Sequence, residues 1–466
     1  MKNIRYLRSM RKTLAPALLF LLLMLYSCHP RQQQEKGEAA PVLWEQAPAI
    51  TIHGDTLFVM PLRGDTSLSV TLYLPPSYSE DTLWPLILFF DPHGSGRLPV
   101  ERYRPLAAAY GYILAGSNDI RNGMDGTTIE RILRLLDDAL FSRLSLDPKR
   151  FYTAGFSGGA RVATLKALTD PAVRGAAACG GGLPATDNLP PVRFNLLGFA
   201  GEEDFNLPEL LQLDASLTAQ PCRHFLVRFD GTHEWPPAPV FRDAFRWFEL
   251  NAMRDTLIPR NDTLIRHTLT SCLQPLHSTS SPLEEEYLLS KTVTFLDGVT
   301  DISSYRQRLE TLRSSTAFRK AREEFASLLL EERGLEQYYL KNFPKPLAWW
   351  KKELDSLNRR VATTRGERHH SLLRVKHYLS LAAFLQTEAA LKKHLDQATK
   401  HYLALYALID PDNPDVWFFK AVASVRQGDT THARQAFAKA RELGFDDPAR
   451  LRQWPELSQF STVQVP

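Results

Sequence analysis

The chain has 466 residues but only four cysteines, Cys28, Cys179, Cys222 and Cys272. None is spaced like a zinc ligand set, so no metal centre is expected from them. With Cys28 set apart at the head of the chain, three remain, and an odd number cannot be fully paired. A Cys222–Cys272 disulfide would need an oxidising compartment, and nothing in the spacing argues for it. An excess of one charge is missing too: 56 basic residues face 52 acidic ones, for a net charge of +4. That balance argues against a nucleic-acid partner and against a polybasic membrane-binding surface. The apolar run "APALLFLLLMLY" (15–26) has 12 residues, too few for a comfortable membrane span.

What surrounds that run is more telling. Lys2, Arg5, Arg8, Arg11 and Lys12 precede it and "LYSC" (25–28) closes it, the order of a targeting segment. A small residue before a cysteine, with leucine two places further back, resembles a bacterial lipoprotein signal. The resemblance implies removal of residues 1–27, lipidation of Cys28 and attachment to a membrane by the lipid. Histidine rather than aspartate after Cys28 favours the outer membrane, with the protein periplasmic or surface-exposed. The polar stretch "HPRQQQEKGEAAP" within residues 28–47 reads as a flexible tether.

From 48 to 252 short apolar runs alternate with helical patterns. Strand candidates are "AITIH", "TLFVM", "LSVTLYLP", "PLILFFD", "YILAGS", "FYTAGF", "GAAAC", "FNLLGFA" and "HFLVRF". The later ones are continuously apolar, as strands covered on both faces must be. Helical stretches lie between them, as in "TTIERILRLLDDALFSRL", where Ile129, Ile132, Leu133, Leu136 and Leu140 share one face. The alternation predicts a doubly wound, mostly parallel α/β sheet with an antiparallel lead-in at one edge. "FRDAFRWFELNA" (241–252) reads as its closing helix.

Strand signals then fade. Residues 253–365 read as a helical linker region. In it Ser281, Pro282 and Glu284 form a helix start with a capping box, Gly334 a stop, and Pro344 and Pro346 a break. Residues 366–450 read as an all-α domain. "NPDVWFFKAVASVRQGDTTHARQAFAKARELGF" (413–445) resembles a tetratricopeptide repeat, with Trp417, Ala421, Gly428, Ala433, Phe437 and Ala440 at its characteristic positions. Residues 395–411 resemble the second helix of a preceding copy, with Ala398 and Tyr402 in register. A generic helical hairpin is the alternative. Repeats of this kind imply a protein partner on a concave surface.

The chemistry-bearing stretch is "FYTAGFSGGARVA" (151–163), in which Gly155-Phe156-Ser157-Gly158-Gly159 is Gly-x-Ser-x-Gly between a strand and a helix. At such an elbow strand and helix cross closely, and a β-carbon at 155 or 159 would crowd them. The N–H of Gly158, at the helix start, is then a candidate donor to a developing oxyanion. A serine hydroxyl needs a base, and the base needs an orienting acid. Downstream, "FNLLGFAGEEDFNLP" and "HFLVRFDGTHEWPP" each run from strand to polar loop. They place Asp204 and then His233 at carboxyl ends of strands, where open α/β sheets build their sites. Glu202, Glu203, Asp187 and Asp230 are competing acids; Asp204 is preferred as a short carboxylate just beyond Gly201. A second oxyanion donor is expected from the turn in "PLILFFDPHGSGR": the N–H of Ser95 first, Gly94 next. His93 reads as a brace for that turn, and Trp235 as either a pocket wall or packing for the closing helix.

With these motifs in place, residues 68–250 resemble an α/β-hydrolase. The nearest types are secreted carboxylesterases related to poly(3-hydroxybutyrate) depolymerases, feruloyl esterases and dienelactone hydrolases. "LYLPPSYSEDTLWPLILFFDPHGSG", "LDPKRFYTAGFSGGARVA" and "DGTHEWP" carry the likeness. "DPHGSG" departs from the commoner apolar residues before His-Gly. The resemblance implies acyl transfer by Ser157 with His233 as base and Asp204 as its orienting acid, acting on a small-molecule or polymeric ester without metal or organic cofactor. The alternatives are a serine peptidase of the same fold and a non-catalytic binding protein built on the helical repeats.

Overall fold

The computed structural model describes residues 54–183 and 189–460. The targeting segment, Cys28, the tether, the strand candidate "AITIH" and Asp187 lie outside the described residues. The sheet contains β1 (Thr56–Leu62), β2 (Asp65–Leu74), β3 (Trp84–Phe90), β4 (Ile113–Ser117), β5 (Leu146–Phe156), β6 (Val173–Cys179), β7 (Asn195–Gly201) and β8 (His224–Phe229), in the order β1-β2-β4-β3-β5-β6-β7-β8. β1 and β2 form the antiparallel lead-in, and β2 meets β4 antiparallel; every pairing from β4 to β8 is parallel.

Helices cover both faces. α1 (Arg97–Tyr110) and the closing helix α5 (Ala238–Arg254) share one core with Ile87, Phe89, Tyr152, Leu197 and Phe199. Leu86, Leu88 and Phe90 alternate to the other face and are equally buried. α2 (Gly126–Arg143), α3 (Gly158–Thr169) and α4 (Leu207–Leu217) complete the winding, and Thr153 of β5 donates from its hydroxyl to the Ala163 carbonyl of α3. The fold is thus α/β, doubly wound and mostly parallel, followed by an all-α region.

α1 escapes pattern reading because Pro99 and Pro105 interrupt its sequence. Pro99 lies in the first turn, where no N–H is needed, while Pro105 is tolerated mid-helix because Val100, Tyr103, Leu106 and Ala107 are buried against the sheet.

Beyond α5 come α6 (Asp262–Leu273), α7 (Pro282–Leu296), α8 (Ser303–Ser314), α9 (Thr316–Lys341), α10 (Leu347–Thr363) and α11 (Glu367–Lys392). They are followed by α12 (Asp396–Ile409), α13 (Pro414–Arg426), α14 (Thr430–Glu442) and α15 (Pro448–Gln453). Ile265, Phe295, Leu296, Val299 and Ile302 extend the core of the sheet. A second core gathers Trp350, Leu372, Val375, Leu379, Leu405, Tyr406, Phe418 and Phe419. Ser281 caps α7 as expected, but the Glu284 carboxylate lies 3.5 Å from Arg228 of β8, an ion pair rather than a closed capping box. Gly334 does not end a helix: α9 runs through it to Lys341, because Glu332 and Tyr339 on either side are buried and hold the helix together. The break falls at 342–346, with Pro346 capping α10. α13 and α14 form a hairpin in which Ala421, Ala433 and Ala440 are fully buried. No helix among the described residues is long and apolar enough to cross a membrane.

Candidate active site

Ser157 stands between β5 and α3 with φ +52°, a conformation that non-glycine residues rarely adopt. The neighbouring glycines make it feasible. A β-carbon on Gly155 would lie 2.1 Å from the Gly159 carbonyl oxygen, and one on Gly159 would lie 2.0 Å from that of Phe90. Strand and helix therefore cross with no room for side chains. The Ser157 N–H donates to the Cys179 carbonyl at 2.8 Å, which pins the elbow to β6.

The parallel register then fixes the distances. Phe156, Cys179 and Phe199 are partners across β5, β6 and β7, so Ser157 and the loop after β7 lie about two strand spacings apart, roughly 9.5 Å. One imidazole with a hydrogen bond at each end fills such a gap. His233, from the loop after β8, does so: Nε2 lies 3.0 Å from Ser157 Oγ, and Nδ1 lies 2.9 Å from Asp204 Oδ1. Asp204 is 1% exposed. The same Oδ1 accepts from the Asn206 N–H at 2.8 Å, and the Asn206 amide donates to the Gly180 carbonyl. The imidazole sits between the rings of Phe156 and Phe205, with centroids 4.7 and 4.3 Å away. Held in this way, it is placed to take a hydroxyl proton at Nε2 while its Nδ1–H faces a carboxylate.

The competing acids are engaged elsewhere or exposed. Glu202 lies 3.4 Å from Arg228, Glu203 lies 3.6 Å from His370, and Asp230 is exposed. Burial pushes Glu202 upward, against the pull of Arg228. Burial also drives the Cys179 thiol far up, with the Asp204 carboxylate adding to it, so this cysteine is no nucleophile. Cys179, Cys222 and Cys272 are all unpaired. Among the described residues no group of His, Cys, Asp and Glu could hold a metal ion.

The turn after β3 begins level with the serine, since Phe90 pairs with Gly155. Its Gly94 N–H donates to the Asp91 carbonyl at 3.1 Å. Gly94 is therefore corrected as an oxyanion donor: its N–H closes the turn, and Ser95 remains. Gly158, as the first residue of α3, has no intrahelical carbonyl to donate to. The His93 ring is mostly exposed; the bracing comes from its backbone N–H, which donates to Asp91 Oδ1 at 2.9 Å.

Asp91 is the residue that sequence reasoning passed over. It is 3% exposed and its other oxygen accepts from Trp235 Nε1 at 2.9 Å. One buried carboxylate thus ties the turn after β3 to the chain two residues beyond His233. The unusual aspartate in "DPHGSG" was its only signal. Trp235 is buried among Phe89, Tyr103 and Phe156, so it packs beneath the site rather than lining it.

No family model matches the chain, and no curated relative does. Solved structures do. An S-formylglutathione hydrolase from Agrobacterium tumefaciens is 14% identical, covering 41% of this chain and 93% of its own, with a TM-score of 0.34. One from Staphylococcus aureus is 16% identical over 43% and 99%, at 0.35. A feruloyl esterase module from Clostridium thermocellum is 14% identical over 46% and 95%, at 0.34. Each covers less than half of this chain, and the fold stands on its own strand order and pairing.

Proposed function

We propose that the chain is a serine carboxylesterase. The observation that carries the reading is the unbroken run of hydrogen bonds from Ser157 Oγ through His233 to a buried Asp204. Ser157 Oγ attacks an ester carbonyl as His233 Nε2 takes its proton. Asp204 stays ionised and faces the imidazolium. The N–H groups of Gly158 and Ser95 receive the oxyanion; the Ser157 N–H is excluded because it already serves the Cys179 carbonyl. His233 then protonates the leaving alcohol, and water releases the acid from the acyl-enzyme by the reverse steps. Substrates are small-molecule or polymeric esters, and no cofactor takes part. Lipidation at Cys28 would tether the enzyme to the envelope, and the tetratricopeptide-like hairpin near the C-terminus would receive a protein partner.

A panel of p-nitrophenyl esters and matching peptide amides tests the reaction class. Short acyl esters should turn over and the amides should not. Preferential amide cleavage would replace the esterase reading by a peptidase of the same fold. Inertness toward both would leave a binding protein.

A further inference from the structure

The loop that carries Asp204 is bonded from two sides. On one side the N–H groups of Glu202 and Glu203 donate to the carbonyls of Phe229 and Gly231, in β8 and the turn that follows it. On the other side the carbonyls of the same two residues accept from the all-α region. Arg374 Nη1 donates to Glu202 O at 2.6 Å, and His377 Nδ1 donates to Glu203 O at 2.9 Å. Both donors lie on α11, about 170 residues further along the chain.

These donors are themselves fixed. Arg374 is fully buried, and its Nε and Nη2 form a two-pronged pair with the Glu332 carboxylate of α9 at 2.9 and 2.7 Å; Glu332 is 1% exposed. A guanidinium clamped on two nitrogens has one orientation left for the third. His377 has its Nδ1 proton fixed by the carbonyl it serves, since a carbonyl can only accept. Phe205, which follows Asp204 and packs against the His233 ring, has the Tyr378 ring of α11 6.5 Å away. His370 and Glu367, near the start of α11, approach Glu203 and Arg228. The face of α11 turned to the sheet thus meets the two peptide units before the acid and the ring after it.

We propose that Arg374 and His377 are positioning residues of the active site, through which the all-α region holds the Asp204 loop at the height His233 requires. The inference rests on the serine hydrolase reading above. It gives the helical region a role in catalysis besides any partner it binds. Two peptide units directly before the acid, each bonded through both its N–H and its carbonyl, leave it little freedom. A loop released on one side would let the carboxylate drift, and a drift of about 1 Å can cost up to a hundredfold in turnover.

The test uses the full chain and p-nitrophenyl acetate. His377→Leu removes one donor and His377→Asn keeps an N–H donor near the same place. Arg374→Met alone would strand Glu332 as a buried unpaired charge, so the second variant is the double Arg374→Met/Glu332→Leu, which removes the pair together. Expected are an about tenfold fall in kcat for His377→Leu, a larger fall for the double variant, KM within twofold of wild type for both, and recovery of most of kcat in His377→Asn. Thermal unfolding checks that each variant is folded. Folded variants with wild-type kcat would overturn the positioning role and leave the esterase intact. A loss of kcat that His377→Asn does not recover would also overturn it. An inert wild type would bring down the esterase reading, and the inference with it.

Discussion

The sheet and the all-α region build order by different means. In the sheet, position follows from backbone. Parallel register sets the height of each loop, and glycine sterics set the crossing of β5 and α3, so that Ser157, Asp204 and His233 meet at one end of the sheet. In the all-α region the corresponding work falls to side chains that carry charge into the interior. Arg374 and Glu332 are both buried, and Arg228 gathers Glu202, Glu284 and Glu367 around itself at the seam with the sheet. Backbone order tolerates no added atom at a few points. Charge order tolerates volume but not the loss of one partner.

That contrast can be broken most directly at Gly159. Gly159→Ala would put a β-carbon 2.0 Å from the Phe90 oxygen, a clash between backbones that no rotamer relieves. A loss of about 4 kcal/mol or more is expected, measured by urea unfolding. A variant as stable as wild type would mean that the elbow is less tight than described. Asp204→Asn should leave stability nearly unchanged but lower kcat by about 10⁴, because the amide favours the wrong imidazole tautomer; steady-state kinetics on the acetate ester reads it.

At Trp235 a smaller effect sharpens the comparison. Trp235→Phe keeps most of the packing but leaves the buried Asp91 oxygen without its indole donor. A cost of about 1–3 kcal/mol is expected, together with a fall in kcat as the turn bearing Ser95 loosens. A stability loss without a kcat effect would detach that turn from the site.

The smallest effect belongs to the helices. Burial, reinforced by the neighbouring Glu332 carboxylate, pushes Glu336 up from its ordinary 4.5 to about 8. The folded state then holds a proton that the unfolded chain has released. Its contribution is fully present below pH 4.5 and is lost as pH rises through about 8. Glu336→Gln should therefore raise Tm by a few degrees at pH 9 and change it little at pH 4. Equal shifts at both values would show that Glu336 is not kept protonated.

How much of this was legible in the residues divides along the same line. Strands with continuous apolar runs, such as "PLILFFD" and "FNLLGFA", announce a sheet covered on both faces. The elbow announces itself because only glycine fits where two backbones cross. Asp204 and His233 could be placed because each follows its strand directly. What could not be read is what depends on side chains distant in sequence. Asp91 and Trp235 are 144 residues apart, and Arg374 and Glu202 are 172 apart; no local pattern marks either pair. α1 was hidden by prolines whose cost the core offsets. The continuation of α9 through Gly334 was hidden because helix signals weigh a glycine before they know its neighbours. Gly94 looked free as a donor because a turn's own hydrogen bond leaves no mark in composition.

The central claim is that the Ser157 hydroxyl is activated by His233, itself oriented by Asp204. Intact-protein mass spectrometry after exposure to a fluorophosphonate measures this most directly. The account predicts one covalent adduct per chain, mapped to Ser157, absent from Ser157→Ala and strongly slowed in His233→Ala. An unmodified wild type, or an adduct on another residue that survives in Ser157→Ala, would contradict it.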